Sequence, residues 1–298
     1  MTAPQPAGSQ RAWDSGLQAQ LKSLRLDLDA ANPDASRHAL IERLGTYGFA
    51  LLRGLGSGDR EHCAATLLTL SRQLGSVVPQ SPRGELVEDV RDFSDVDERD
   101  DRGYRSRGEL SPHSDPTTLI ALHCLRPARQ GGESYIVSVR ALHDAIERQR
   151  PDLLQTLYGN FPHWRVEGAY GQQEAGPDAQ GRPIFARQHD RVSCVIYRPF
   201  VELAAEALAK PLSESQIEAL DLFETLANDE RLALRFTLAP GDTLILHNRT
   251  ALHARTDYED WPEPERRRHL LRTWIDAPAT FPVKPEHALG NLFPGVGG

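Results

Sequence analysis

His113-Ser114-Asp115 places an imidazole and a carboxylate two residues apart. In an extended segment such a pair leaves the backbone on one face, so one strand end offers both groups to a single metal ion. The motif is short enough to recur by chance, and a site needs a third ligand. Near the C-terminus Pro240-Gly241-Asp242 predicts a turn, 243–247 a strand, Asn248-Arg249-Thr250 a second turn, and Leu252-His253-Ala254-Arg255 a returning strand that presents His253 at a sheet end. His247 and His189 stay open as weaker ligands. His38, His62, His143 and His287 fall in expected helices or the tail, and His123 lies mid-strand among apolar neighbours. Two histidines and one carboxylate leave three positions of an octahedral ion free, as in non-haem Fe(II) oxygenases. Zinc hydrolases more often combine three protein ligands with one water.

An anion clamp would favour iron with an oxoacid cosubstrate. In Arg268-His269-Leu270-Leu271-Arg272 a period of two puts Arg268, Leu270 and Arg272 on one face and His269 and Leu271 on the other. An inward arginine is costly unless it meets an anion, and its planar fork binds a carboxylate at two points. A buried pair with an internal Asp or Glu would satisfy it equally well.

His113-Ser114-Asp115, the following Gly131-Gly132-Glu133-Ser134, Gly241-Asp242, Asn248-Arg249, Leu252-His253-Ala254-Arg255 and the strand from Arg268 to Arg272 together resemble the TauD/TfdA family of Fe(II)/2-oxoglutarate-dependent dioxygenases, over roughly residues 36–276. The resemblance implies that His113, Asp115 and His253 bind Fe(II), that Arg268 grips the distal carboxylate of 2-oxoglutarate, and that Ser134 supplies a hydroxyl where the family usually has threonine. Asp115 argues against halogenating relatives, which replace this carboxylate by a small residue. His-Ala-Arg stands where His-Gly-Arg is more usual, and Trp261-Pro262-Glu263-Pro264 intervenes before Arg268; neither departure touches a ligand. The implied reaction uses O2 as the second cosubstrate, releases succinate and CO2, and hydroxylates or desaturates a small substrate. Arg272, four residues beyond Arg268, is too far along an extended strand to grip the same carboxylate. With the family's substrate arginine matching it, an anionic or amino-acid-like substrate is expected. Glu109 resembles a substrate-contacting position that would favour an ammonium group, unless Arg272 and Glu109 simply pair with each other or with core residues. Tyr104 and Arg105 are expected to add substrate contacts from a lid hinged at Gly103, within the charged segment 95–108.

The elements that must position these residues read as an αβα opening followed by many short strands. Trp13, Leu17, Leu21, Leu24 and Leu28 predict a helix over 13–29, a second helix spans 35–46, the strand 49–52 follows, and a third helix spans 60–74. Strands are expected at 87–93, 117–125, 134–138, 192–197, 232–238, 243–247 and 269–275, with helices at 139–149, 151–157 and 213–228. Ser213 and Gln216 form a capping-box pattern. The expected fold is mainly β with flanking helices, a double-stranded β-helix (jelly roll), as one domain over 13–298 behind a disordered tail at 1–12.

The chain has 298 residues, with 34 Lys and Arg against 42 Asp and Glu, a net charge of -8 that disfavours nucleic acid. No apolar run reaches the ~18 residues of a membrane span. Cys63, Cys124 and Cys194 are far apart and sit in apolar stretches, which predicts buried thiols in a cytoplasmic protein. The expected partner is a small molecule, with homo-oligomerisation left open. A zinc-dependent hydrolase and a non-catalytic jelly-roll binding protein are the competing classes.

Overall fold

The computed structural model describes Gln10, Trp13, 16–17, 25–27, 33–80, 84–94, 103–165 and 176–288. The opening elements are β1 (Arg25–Asp27), α1 (Pro33–Tyr47), β2 (Phe49–Arg53), α2 (Arg60–Leu74), β3 (Ser76–Val78) and β4 (Glu88–Val90). The central strands are β5 (Leu110–His113), β6 (Leu119–Arg126), β7 (Gln130–Gly131) and β8 (Ser134–Ser138), followed by α3 (Val139–Gln149) and α4 (Pro151–Leu157). Two hairpins come next, β9 (Asn160–Arg165) with β10 (Gly176–Pro183) and β11 (Phe185–Gln188) with β12 (Arg191–Cys194), then α5 (Arg198–Ala207) and α6 (Glu214–Ala227). The chain closes through β13 (Ala233–Phe236), β14 (Thr243–His247), β15 (Ala251–Arg255), β16 (Tyr258–Glu259) and β17 (His269–Asp276).

Two sheets face each other in a jelly roll. The larger runs β1-β2-β14-β6-β17-β3 with β4 also on β17, and the smaller runs β13-β8-β15-β5. Alternation along the strands divides the core. Ile120, Leu244, Leu270 and Trp274 from the large sheet meet Ile136, Leu234 and Ala251 from the small one. Leu119, Ala121, Ile245, Leu271 and Ile275 point the other way, onto Leu40, Leu44, Leu67 and Leu74 of α1 and α2. The outer face of the small sheet is covered by α3, α4 and α6 through Leu142, Ile146, Leu154, Leu220 and Phe223. Each such side chain buries apolar area that stabilises the fold by roughly 1.5–3 kcal/mol.

Local signals fix the helix ends. The Asp59 carboxylate accepts from the His62 amide, the Ser138 hydroxyl accepts from the Ala141 amide, and Ser213 with Gln216 closes the expected capping box. No helix of the described residues is long and apolar enough to cross a membrane. The three cysteines are free and buried, and burial pushes the Cys124 thiol up to about 12.

Several expectations need correction. The helix over 13–29 does not extend to its predicted end: Gly16 and Leu17 are helical, but Arg25–Asp27 is a strand parallel to β2. There the edge of β2 supplies ladder hydrogen bonds, and Leu26 packs beside the core of α1 and α2, so tertiary pairing overrides the three-and-four apolar spacing. Gln10, expected in a tail, is buried, and its Oε1 accepts from the Val192 amide at 2.8 Å; the other residues of 1–12 lie outside those described. The expected strand at 192–197 stops at Cys194, because the next residues leave the hairpin and the Ile196 carbonyl accepts from the Ser114 amide at 2.9 Å. Helix α5 and the β9/β10 hairpin had no expected counterpart.

The end of α2 crosses the end of β17 at Gly75, where an added Cβ would overlap the Asp276 carbonyl oxygen and crowd the Ala277 side chain. Gly75→Ala should therefore cost about 1–3 kcal/mol through forced displacement of β17. Urea unfolding checks this; an unchanged midpoint would show that the crossing has slack.

Candidate active site

His113 ends β5 and His253 sits mid-way along β15, and the antiparallel register pairs these two residues directly. Their ring centroids are 4.2 Å apart. Asp115 follows two residues beyond β5, with its Oδ1 3.9 Å from His113 Nε2 and its Oδ2 3.8 Å from His253 Nε2. Ligand atoms from all three lie within 4.8 Å of one another, so the three could hold one ion.

The surrounding chain fixes each group. His113 Nδ1 donates to the Ser111 carbonyl at 2.8 Å, which leaves Nε2 as the lone-pair nitrogen facing the other two residues. The turn after β14 holds the Asp115 backbone: the Asp115 amide donates to Asn248 Oδ1 at 3.2 Å, and Arg249 Nη1 donates to the Asp115 carbonyl at 2.9 Å. From the opposite sheet, Trp274 Nε1 and Arg272 Nη1 donate to Asp115 Oδ2 at 3.0 and 3.3 Å. Burial opposes the charge on Asp115 most strongly, but Arg272, the two neighbouring imidazoles and the Trp274 donor together outweigh it and hold the carboxyl below the usual carboxylate range. Burial, reinforced by His113, pushes the His253 imidazole down to about 3. The site thus offers a carboxylate and a neutral imidazole at His253, the protonation states a divalent metal requires.

These groups open into a cavity of about 740 Å³, walled largely by apolar side chains such as Ile120, Ile136, Val195, Leu244 and Leu270. That is a volume suited to a small molecule. Arg268 and Ser134 line it too. Arg268 is 4% exposed, its amide donates to Asp260 Oδ1 at 2.7 Å, and its guanidinium carbon lies 5.2 Å from the Tyr258 ring. Among the described residues its buried Nη1 has no hydrogen-bond partner, and desolvation lowers the guanidinium pKa. A buried cation with an unsatisfied donor in a cavity wall is a receptor for an anion. Gly132 backs this cradle at φ +65°, where an added Cβ would stand 3.4 Å from Arg268 Nε.

Of the expected substrate residues, Arg272 and Tyr104 line the cavity, and Arg272 lies 4.4 Å over the Tyr104 ring. Arg272 already meets anionic and polar partners, with its Nε donating to Gln80 Oε1 at 2.7 Å in addition to its bond to Asp115. Glu109 and Arg105 are not among the described residues of the cavity wall. Pairing steps two residues along β15, from His253 to Arg255, while it steps three along β5, from His113 to Leu110. The extra residue is a bulge that shifts the alternation, so Leu110 shares the cavity with His113 while Glu109 is exposed and accepts from the Tyr135 hydroxyl at 3.3 Å. Arg105 instead stacks at 3.7 Å over Phe93. Of the expected lid, 95–102 lies outside the described residues. His247 is buried against Phe281 in a separate small pocket, and His189 sits in the β11/β12 turn at φ 56°.

Sequence reasoning missed Trp274, although it continues the face of Arg268, Leu270 and Arg272. It also missed Gln80, which carries no motif, and the hairpin residues His163, Arg165 and Arg182, which line the same cavity.

The model of the Taurine catabolism dioxygenase TauD, TfdA family matches residues 11–274. The chain is 29% identical over 238 residues to FR-33289 synthase of Streptomyces rubellomurinus, covering 77% of this chain and 69% of the relative. It is 27% identical over 269 residues to the uridine-5'-phosphate dioxygenase of an Amycolatopsis species, covering 84% and 93%. Its fold is shared with an asparagine oxygenase solved with Fe(II), 2S,3S-3-hydroxyasparagine and succinate, at a TM-score of 0.61 and 19% identity over 89% of this chain and 80% of that one. The non-haem iron oxygenase OrfP with Fe and alpha-ketoglutaric acid gives 0.59 and 16%, covering 89% and 85%.

Burial holds His247, His253 and His287 each near a pKa of about 3. In the unfolded chain each would titrate near 6.5. Below that value the unfolded state takes up protons the folded state refuses, so stability present at neutral pH is lost as pH falls from about 6.5 toward 3, by up to ~1.4 kcal/mol per pH unit for each group. Urea midpoints of the metal-free protein should drop between pH 7 and pH 5.5. Equal midpoints would mean that these imidazoles are protonated in the fold.

Proposed function

Because the chain belongs to the TauD/TfdA family, and is therefore an Fe(II)- and 2-oxoglutarate-dependent dioxygenase, we propose that His113, Asp115 and His253 hold its iron and that Arg268, helped by Ser134, grips 2-oxoglutarate. One observation carries the assignment. The convergent His-Asp-His cluster and a buried arginine with an unpartnered Nη1 open into one cavity. When bound, Fe(II) with 2-oxoglutarate and O2 supplies an oxidative decarboxylation to succinate and CO2 that drives oxidation of a substrate C–H bond.

The chain's own part is placement. The Ser111 carbonyl sets the His113 tautomer, and Arg272 with Trp274 keeps the Asp115 carboxylate charged and aimed. Arg268 neutralises the distal carboxylate of the cosubstrate in a site where water competes poorly. The apolar wall between the two sheets leaves a volume in which one substrate C–H can be held toward the metal. The substrate we assign is small and anionic or amino-acid-like, and its oxidation is a hydroxylation or a desaturation. Among similar proteins, one is named for uridine 5'-phosphate and another holds a hydroxylated asparagine. Arg272 and Tyr104 would form part of the substrate wall.

His113→Ala, Asp115→Ala and His253→Ala should each abolish 2-oxoglutarate-dependent succinate formation and weaken Fe(II) binding, with the far-UV circular dichroism spectrum unchanged. Iron titration decides it, since wild-type affinity in any variant removes that residue from the metal. Arg268→Ala should raise the 2-oxoglutarate Kd by orders of magnitude, because breaking a buried charge-assisted pair costs about 3–5 kcal/mol. A near-normal Kd would contradict the clamp, and hydrolysis without 2-oxoglutarate or O2 would replace the reading with a zinc-type hydrolase.

A further inference from the structure

The cavity contains a second cationic pole, on the β9/β10 hairpin. Arg182 lines the cavity and is 4% exposed, yet among the described residues its Nε and Nη1 have no hydrogen-bond partner and its ionic contact is Nη2 to Asp178 Oδ2 at 3.5 Å. Arg165 and His163 line the same wall, and Arg165 Nε and His163 Nδ1 are also buried without partners among the described residues. The hairpin is shaped for this. Its register shifts between Asp178 and Arg182, and Gly181 takes φ +60° where an added Cβ would overlap the Phe161 carbonyl oxygen. That irregularity brings Arg182 onto the wall.

This pole is separate from Arg268. The ionic neighbours of Arg268 are Tyr258, Cys124 and Asp260, whereas those of Arg182 are Asp178 and Arg249. Once Arg268 is occupied by the cosubstrate and Arg272 is matched by Asp115, the Arg165–Arg182 wall keeps Asp178 as its ionic partner among the described residues. Leaving buried donors unmade is expensive, so such a wall is stable only when a ligand or water fills it.

Building on the dioxygenase reading above, we propose that Arg182, with Arg165 and His163, is the subsite for a tetrahedral phosphorus oxyanion, a phosphonate or phosphate monoester, on the primary substrate. A carboxylate is planar and saturates on a single guanidinium fork. Unpartnered nitrogens on three different side chains suit a head with three terminal oxygens and up to two negative charges. The neutral part of the substrate would then extend along the apolar wall toward His113, Asp115 and His253.

The test is calorimetry under nitrogen on the enzyme loaded with Fe(II) and 2-oxoglutarate, titrated with methylphosphonate, methyl phosphate, methanesulfonate and acetate. With Arg268 occupied by cosubstrate, the probes report on the second pole. One-to-one binding of methylphosphonate or methyl phosphate, tighter than that of acetate or methanesulfonate, is expected; whichever phosphorus probe binds better tells phosphonate from phosphate. Arg182→Met should weaken it roughly tenfold to a hundredfold, the effect of losing a charge-assisted hydrogen bond. Arg182→Lys and Arg165→Gln should weaken it less, and all three variants should keep wild-type affinity for iron and 2-oxoglutarate. If Arg182→Met does not fold, the Lys and Gln variants carry the test. Absence of saturable binding by either phosphorus probe, acetate binding as tightly, or equal affinity in the variants would overturn the subsite. Failure of the wild type to bind 2-oxoglutarate would instead overturn the dioxygenase site itself.

Discussion

Asp115 buries a carboxylate where two sheets meet, and opposite sheets keep it charged and place it beside two imidazoles. The histidines come from the small sheet, through the direct pairing of His113 with His253. The compensating donors, Arg272 and Trp274, come from the large sheet. Removing either side would leave a desolvated charge, which costs far more than the lost contact. The jelly roll is therefore more than a support. The separation and register of its two sheets set the distances among the three candidate ligands.

The same logic extends along β17. With Arg268 just before it, its inner face carries Leu270, Arg272 and Trp274 in alternation, so one segment supplies a buried guanidinium, an apolar wall, a partner for Asp115 and an indole donor. Its outer face, through Leu271 and Ile275, is clamped onto α1 and α2. A one-residue slip would exchange the two faces, and both the core and the site would fail together. Stability and site geometry are thus coupled in this strand, whereas the β9/β10 hairpin lies outside both main sheets.

Where period two or a cap governs the chain, the sequence could be read closely. The spans of β8, β14, α3 and α4 match their expected bounds, and the opposition of Arg268 and Leu271 follows from alternation alone. Expectations failed where a local irregularity decides the outcome. The bulge in β5 moves Glu109 out of the cavity, and no residue type marks it. The pairing of Arg25–Asp27 with β2 depends on a free sheet edge that the apolar spacing does not reveal. The β10 strand, Gly176–Pro183, has the composition of a loop, and its paired partner lies across a long connection; Arg182 was therefore invisible as a cavity residue until the hairpin closed.

The central claim is that one ion and one dicarboxylate share this cavity on opposite sheets. The most direct measurement is a crystal structure of the enzyme with Fe(II) and 2-oxoglutarate grown without oxygen, with anomalous diffraction at the iron edge. The account predicts a single anomalous peak bonded to His113 Nε2, an Asp115 oxygen and His253 Nε2, with the distal carboxylate of 2-oxoglutarate on the Arg268 guanidinium. A peak away from these three residues, or the distal carboxylate seated on Arg182 with Arg268 unfilled, would contradict it.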